Sequence, residues 1–332
     1  MAQAVSRTLP RVPASFFGIV LGLAGLSNAW RAAHAAWGLP VAIAEVILIC
    51  AIVAWAAVAV LYGLKWVVTP AIVAEEAKHP VQCCFIGLAG VSTLLIAQGV
   101  LPSSRSLAIG LFLLGAGFTV CFALWRTGLL WRGGRADAAT TPVLYLPMVA
   151  GGFVGATVAS ALGWRDWGQL AFGAGFFTWL AVESVILLRL YTAEPMPPAL
   201  RPTMGIQLAP PAVGAVSYLS VGQGAPDLVA HLLIGYALLQ AALLLRMSRW
   251  ISEQPFGASY WAFTFGATAL AGAMVRLAPA DHGGAIATLS PVVFALANIV
   301  VLGIAIGTLR QLFTGRLLPP ISGPDVQPTS AR

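Results

Sequence analysis

Charged residues are scarce in this chain: Asp, Glu, Lys and Arg together make up 9% of its 332 residues. Hydrophobic residues make up 59%, and the mean hydropathy is +0.88. A water-soluble domain of this length could not bury so much apolar surface, whereas a lipid bilayer solvates it. The composition therefore excludes a soluble protein and predicts one that is embedded in a membrane.

Residues that carry enzyme or cofactor chemistry are also few. The chain has no G-x-x-x-x-G-K-[ST] motif, which argues against transport driven by its own ATP hydrolysis. The four histidines lack metal-ligand spacing, and the four cysteines form no C-x-x-C pair and lie inside predicted helices. No basic–aromatic patch suggests nucleic-acid binding. We therefore expect no cofactor, no metal, no nucleic-acid partner and no enzymatic activity.

Ten apolar segments each come close to the roughly 20 residues that a helix needs to cross the hydrocarbon core. The first is not a cleaved signal peptide, because it has no clear cleavage site and nine more segments follow. The predicted fold is an all-α polytopic membrane protein, with ten helices paired as five hairpins around a central pore. Residues 13–311 form this domain between short cytoplasmic tails, 1–12 and 312–332. The predicted spans are 13–31, 41–61, 81–100, 106–125, 142–161, 169–188, 203–221, 228–245, 259–277 and 285–309.

Basic residues predict the orientation of these helices. With the N-terminus inside, 14 of the 18 Lys and Arg residues lie on the inner side. The outer side holds only Arg31, Arg105, Arg165 and Arg276. This bias predicts both termini in the cytoplasm, and it also explains the net charge of +7. We expect a multi-pass protein of the inner or plasma membrane, with membrane lipid around it.

The odd-numbered spans differ from the even-numbered ones. They carry almost no charge between their ends, but they are rich in glycine and contain prolines that bend helices. Five such helices can line a central path while the even-numbered helices face lipid. Close helix packing is the other interpretation of any single glycine. The candidate pore-lining or kink residues are Gly18, Gly22, Pro147, Gly152, Pro210, Pro211 and Gly266.

Glu45 and Glu183 fall inside even-numbered spans, where ionisable groups are costly. Glu45 lies near the outer end of its helix, within reach of the headgroups. Glu183 pairs with Arg126 or Arg189, or is held neutral, if its role is structural. The competing hypothesis gives either carboxylate a role in proton or ion coupling. A path wall without carboxylates, by contrast, favours the entry of anions.

Five stretches resemble the tellurite-resistance/dicarboxylate transporter family, which includes bacterial TehA and the plant slow-type anion channels. They occur in the order typical of the family, cover nearly the whole chain, and are most similar to bacterial TehA. They are PASFFGIVLG from Pro13, EEAKHP from Glu75, TTPVLYLP from Thr140, GIQLAP from Gly205 and QPFGASYWAFTFG from Gln254.

The resemblance implies five hairpins around a pore, a homotrimer with one pore in each protomer, and conduction of small monovalent anions. It also implies a phenylalanine in the ninth helix that closes the pore. The motif assigns Phe265 to this role, with Phe263 as the other candidate. The paired Cys83 and Cys84 stand where small hydroxyl residues are expected in this family.

Two functions remain open from the sequence. The first is an anion channel of the TehA type, linked by family to tellurite resistance and favoured by the uncharged odd-numbered spans. The second is a secondary transporter of C4-dicarboxylates or of oxyanions such as tellurite, with or without coupling to protons, and it is favoured by Glu45 and Glu183. A membrane-embedded enzyme is disfavoured because no acid, base and nucleophile cluster together.

Overall fold

The computed structural model of the chain describes residues 12–222 and 227–318. Within these residues there is no β-strand, and ten helices are long and apolar enough to cross a membrane. We label them α1 (Ala14–Trp37), α2 (Val41–Val68), α3 (Gln82–Val100), α4 (Arg105–Leu130), α5 (Pro142–Ala161), α6 (Arg165–Thr192), α7 (Pro198–Val221), α8 (Leu228–Ile251), α9 (Ala258–Ala280) and α10 (Ala285–Phe313). The predicted all-α polytopic fold is confirmed, although several helices extend beyond the predicted spans.

Local signals in the sequence set the ends of several helices. Gly38 stops α1 with a φ of 71°, a conformation that glycine adopts without strain. The Ser104 side chain accepts a hydrogen bond from the backbone N–H of Leu107 at the start of α4. Asp227 caps α8 in the same way, through the backbone N–H of Ala230 at 2.9 Å. A short amphipathic helix, Pro70–Lys78, lies between α2 and α3.

The odd-numbered helices form the inside of the molecule. In an 18-residue apolar stretch of each, 61–78% of the residues are buried, against 22–33% in the even-numbered helices. Contacts run from α1 to α3, α5, α7 and α9 and back to α1, which closes a ring of five. Each even-numbered helix packs outside this ring against the odd-numbered helix that precedes it. The predicted difference between odd and even helices is thus confirmed for burial.

Several odd-numbered helices are not regular α-helices along their whole length. A π-helical segment, Leu146–Ala150, interrupts α5 and contains Pro147. The first part of α7 is a 3₁₀-helix, Pro198–Leu208, and its α-helical part begins at Ala209. α9 begins with a 3₁₀ segment, Ala258–Phe263. Such changes of helix type leave backbone groups without regular partners, which is tolerated at membrane depth where other protein groups surround them.

The two predicted tails lie mostly outside the described residues. Of the tail 1–12, only residue 12 is described, and of the tail 312–332, residues 312–318. The last helix ends at Phe313 rather than at the predicted boundary of 311. The orientation of the termini stays a prediction from the distribution of basic residues.

Candidate functional site

A cavity of about 550 Å³ lies inside the ring of odd-numbered helices. It occupies the end of the ring where these five helices terminate, and side chains of all five line it. We use the word mouth for the end of this cavity that is bordered by Arg31, Ala35, Ser220 and Arg276. Lining residues farther inside include Gly25, Asn28, Leu95, Gln98, Val154, Thr157, Val213, Phe265 and Thr268.

Phe265 lines this cavity at the end opposite to Arg276 of the same helix. Its buried side chain borders the large cavity and also a small one of about 50 Å³, nearer the other end of the ring, which Gly18, Leu21 and Ile206 line. Phe265 and Pro210 both line a third space of about 20 Å³. The Phe265 side chain thus borders three separate spaces inside the five-helix ring.

Phe263, the other candidate for this position, points elsewhere. Its ring packs so closely on Gly205 that a Cβ added there would lie 2.7 Å from it. It also stacks on Tyr260, with the ring centroids 6.2 Å apart. Phe263 does not border any of the three spaces that Phe265 touches. The geometry therefore favours Phe265 over Phe263.

The charges along the large cavity are all positive. Arg31 and Arg276 are its charged lining residues, and no Asp or Glu among the described residues lines it. Glu45 comes nearest through its ion pair with Arg31, in which Nε and Nη2 each donate to the carboxylate at 3.0 Å. The expectation that Glu45 extends to the headgroups is thus replaced by a pair between α1 and α2, although the carboxylate remains partly exposed.

The polar groups deeper in the cavity are neutral. Asn28 Nδ2 donates to Gln98 Oε1 at 3.3 Å, which links α1 to α3. The hydroxyls of Thr157 and Thr268 donate to carbonyls of their own helices, so their oxygens remain available as acceptors. The wall between the mouth and Phe265 is therefore mildly polar and carries no fixed negative charge among the described residues.

Most of the candidate glycines serve helix packing. A Cβ on Gly22 would lie 2.2 Å from Thr264 Oγ1 in α9, and one on Gly152 would lie 2.8 Å from the Gly175 Cα in α6. A Cβ on Gly266 would meet the Ala209 backbone nitrogen at 2.9 Å. Gly18 differs because it lines the small cavity, with its nearest neighbour at an ordinary 3.6 Å.

Pro210 and Pro211, which the sequence predicts to break or kink the seventh helix, lie where α7 changes its helix type. They lie in the first turn of the α-helical part of α7, directly after its 3₁₀ segment. Proline has no backbone N–H, so neither residue can donate to a carbonyl of the preceding 3₁₀ turn. The regular α-helical ladder therefore does not continue back across these two residues, and their role in shaping a path stays a prediction.

Glu183 does not pair with either arginine that the sequence suggested. It is buried, and its carboxylate accepts hydrogen bonds from Trp179 Nε1 at 2.9 Å and Gln207 Nε2 at 2.8 Å. The hydroxyls of Tyr145 and Tyr236 also donate to it. The predicted ion pair is wrong because four neutral donors from α5, α6, α7 and α8 already fill both carboxylate oxygens.

Arg126 belongs instead to a cluster around the Pro80 carbonyl. Its Nη2 donates to that oxygen at 3.3 Å, and Nη1 of Arg135 does so at 3.0 Å. Burial lowers the pKa of the Arg135 guanidinium. The Sγ atoms of Cys83 and Cys84 each lie 3.8 Å from the same carbonyl, and neither cysteine lines the large cavity. This cluster ties the start of α3 to the end of α4.

Sequence reasoning missed several functional and structural partners. It counted Arg31 and Arg276 only as outer charges, although both line the cavity. It also missed the buried ion pair between Lys65 and Glu76, whose atoms lie 2.6 Å apart. The available signal was their position in the outer halves of odd-numbered helices, the helices that the sequence predicts to line the path.

Comparison with known proteins agrees with this architecture. Residues 11–309 match the family described as voltage-dependent anion channel. The chain belongs to this family. The match spans all ten helices almost completely, so it includes the ring, the cavity and Phe265.

Individual relatives come from bacteria and plants. The chain is 33% identical to the Haemophilus influenzae protein named tellurite resistance protein TehA homolog, over 92% of each chain. It is 27% identical to the S-type anion channel SLAH3 of Arabidopsis thaliana and 25% identical to the guard cell S-type anion channel SLAC1 of the same plant. It spans only 50% and 58% of those plant proteins. The family consists of anion channels and transporters rather than enzymes, and the resemblance found in the sequence is confirmed.

Proposed function

We propose that the chain is a passive channel that conducts small monovalent anions along the ring axis, with Phe265 as its gate. The observation that carries this proposal is the position of Phe265, between the 550 Å³ cavity and the smaller space on its other side. An anion that enters at the mouth first meets Arg31 and Arg276. It then passes a wall of neutral residues before it reaches the phenyl ring of Phe265.

The physical role of Phe265 follows from the cost of dehydration. An apolar ring across a narrow path excludes water, and the ring offers no ligands to replace the hydration shell of an ion. The closed state is therefore one in which this ring fills the constriction. Removal or rotation of the ring would join the two spaces and allow water to enter.

The same proposal includes features that rest on the relatives. The TehA homolog carries tellurite resistance in its name, and we extend that link to this chain as part of the proposal. A homotrimer with one pore per protomer, which the family resemblance in the sequence implies, and a location in the inner or plasma membrane belong to the proposal as well.

A second candidate is a secondary carrier of C4-dicarboxylates or of oxyanions such as tellurite, coupled to protons. One observation favours it: Glu183 is a buried carboxylate with four neutral donors and no cationic partner among the described residues. A carboxylate of this kind can take up a proton during a transport cycle. Glu183 lies outside the lining of the large cavity, however, and so touches the proposed path only through Tyr145.

The test compares the wild-type protein with Phe265→Ala and Phe263→Ala in planar bilayers under anion substitution. Phe265→Ala should show unitary anion currents far above those of the wild type, since the path is then open. Phe263→Ala, the matched control, should not, because this ring packs against Gly205. Folding of each variant is checked by a melting curve. A Phe265→Ala variant that folds but carries no current would refute the gate. Saturable, proton-driven flux without unitary currents would favour the carrier.

A further inference from the structure

The two arginines at the mouth of the cavity differ in how their charge is used. Arg31 engages all three of its side-chain nitrogens: Nε and Nη2 bind Glu45, and Nη1 donates to the Gly99 carbonyl at 2.9 Å. A carboxylate that accepts two parallel hydrogen bonds from a guanidinium compensates its charge closely. Arg31 therefore borders the cavity without adding a net positive charge to it.

Arg276 has no such counter-charge. Its Nη1 donates to Ser220 Oγ at 3.1 Å and to the Val216 carbonyl at 3.4 Å, both in α7. No carboxylate of the described residues forms an ion pair with it, and its Nε and Nη2 have no protein partner there. Asp281, in the same stretch of chain, lies 3.8 Å from His231 and accepts from the Ala287 backbone. The α7 contacts thus hold the guanidinium at the mouth with two nitrogens unoccupied.

The position of Arg276 exposes this charge to ions that arrive from outside the ring. The residue borders the large cavity and also an adjoining space of about 240 Å³, which it shares with Ala32, Ala35 and Leu219. Among the residues that line the large cavity, Arg276 is thus the cation without a counter-charge, and such a cation between low-dielectric walls attracts anions and raises their local concentration. Unoccupied N–H groups of a guanidinium also donate directly to halides and oxyanions.

We propose that Arg276 forms a binding subsite for a small inorganic anion at the mouth, and that Glu45 sets the strength of this subsite by cancelling the charge of Arg31. This inference rests on the proposed channel function and adds to it the residue that captures the ion. Glu45 lies outside the cavity lining, yet its removal would leave two uncompensated cations at the mouth.

The proposal fixes an order among charge variants. Counted over the cavity-lining residues alone, Glu45→Gln has two uncompensated positive charges, the protein with its native Glu45 and Arg276 has one, and Arg276→Gln has none. In the double variant Arg31→Gln with Glu45→Gln, anion conductance and chloride binding should return towards those of the protein with native Arg31 and Glu45. Arg276→Lys keeps the charge and should retain most of the parent's properties, while Arg276→Gln should not.

Two measurements on the same variants test this order. In the Phe265→Ala background, single-channel anion conductance in about 0.01 M salt should rise for Glu45→Gln and fall for Arg276→Gln, each on the order of two- to fivefold. Near 1 M salt the differences should vanish, because the Debye length falls from about 30 Å to about 3 Å. Arg165→Gln is the control, since this outer arginine lies outside the cavity lining and binds the Val221 carbonyl.

The second measurement does not depend on conduction. Chloride NMR line broadening with the purified protein should be stronger for Glu45→Gln and weaker for Arg276→Gln than for the parent, and Arg165→Gln should match the parent. If both variants broaden chloride and conduct as the parent does at low salt, the subsite proposal is overturned. If line broadening follows the predicted order but Phe265→Ala carries no current, the subsite stands and the channel proposal fails.

Discussion

Glu183 and Gln207 meet at 2.8 Å through Gln207 Nε2 and one carboxylate oxygen, although they belong to different helices, α6 and α7. Gln207 Nε2 also donates to the Tyr145 hydroxyl at 3.0 Å, so a single amide links two members of the same cluster. All three residues are buried. This cluster joins two adjacent helices of the inner ring, α5 and α7, to the outer helices, and it lies next to the small space beside Phe265 through Tyr145.

Glu183→Gln should destabilise the protein without removing anion flux. The amide of Gln has one acceptor oxygen where the carboxylate of Glu183 has two, so some of the four donors lose their partner. The NH₂ group of the new amide would also point towards groups that donate hydrogen bonds in the wild type. We expect a loss of about 1–3 kcal/mol in unfolding free energy, the usual cost of unsatisfied buried polar groups. A melting curve in detergent measures this loss, and Glu194→Gln, at an exposed glutamate, is the matched control.

Flux measurements on the same sample decide whether Glu183 couples protons. If its role is structural, the folded fraction of Glu183→Gln should conduct with the same dependence on pH as the wild type. A folded variant that lost only its pH-driven flux would contradict the channel proposal and favour the carrier.

Gly152 and Gly18 give a matched pair of glycines with opposite surroundings. Alanine at Gly152 would place its Cβ 2.8 Å from the Gly175 Cα and 3.0 Å from the Gly175 nitrogen, so α5 and α6 would have to separate. We expect Gly152→Ala to cost about 1–3 kcal/mol, as overpacked cores do. Gly18→Ala meets only ordinary contact at 3.6 Å and should melt like the wild type. Equal melting temperatures for the two variants would contradict this assignment.

The sequence alone was sufficient for the parts of the structure that depend on hydropathy. Apolar segments near the length of a membrane span predicted ten helices, and the glycine-rich, uncharged segments predicted which five are buried. The identity of Phe265 came from a family resemblance, since a phenylalanine in a buried helix is by itself indistinguishable from core. The position of its ring between two cavities required the structure.

Side-chain partners could not be predicted because they join residues that are far apart in the chain. The sequence left Glu183 either paired with Arg126 or Arg189 or held neutral, whereas Gln207 and Tyr236 reach it from helices that follow later in the chain. The type of helix before the prolines of α7 was not predicted for a related reason. Hydropathy does not distinguish a 3₁₀ segment from an α-helix, so it did not show that the α-helical part begins at Ala209.

Reporter fusions test the orientation, which the structure itself does not contain. Truncation after Lys65, Arg135 or Arg249 should report the cytoplasm, because Lys65 and Arg249 lie in the last turns of α2 and α8 and Arg135 follows α4. The side of the membrane that they share is the one predicted to hold most of the basic residues. Truncation after Gly163, between α5 and α6, should report the outside. A reversed pattern would place the mouth, with Arg276, on the cytoplasmic side.

Lys65 and Glu76 form a buried ion pair where α2 meets the short helix Pro70–Lys78. Lys65 Nζ and Glu76 Oε2 lie 2.6 Å apart, and both side chains are more than nine-tenths buried. Glu76 also accepts from the Ala14 backbone N–H at 3.0 Å and from the Tyr62 hydroxyl at 3.2 Å. This carboxylate therefore holds the first turn of α1, next to Ser15, which lines the small cavity.

Glu76→Gln should be one of the most destabilising single substitutions in the protein. It leaves the Lys65 ammonium buried without a counter-charge, which costs about 3–5 kcal/mol in comparable pairs. Replacement of both residues, Lys65→Met with Glu76→Leu, should recover much of the lost stability, because two apolar side chains of similar volume carry no unpaired charge. Melting curves of the single and double variants measure this difference. A double variant no more stable than Glu76→Gln would show instead that the hydrogen bonds from Ala14 and Tyr62, rather than the charge of Lys65, dominate at this position.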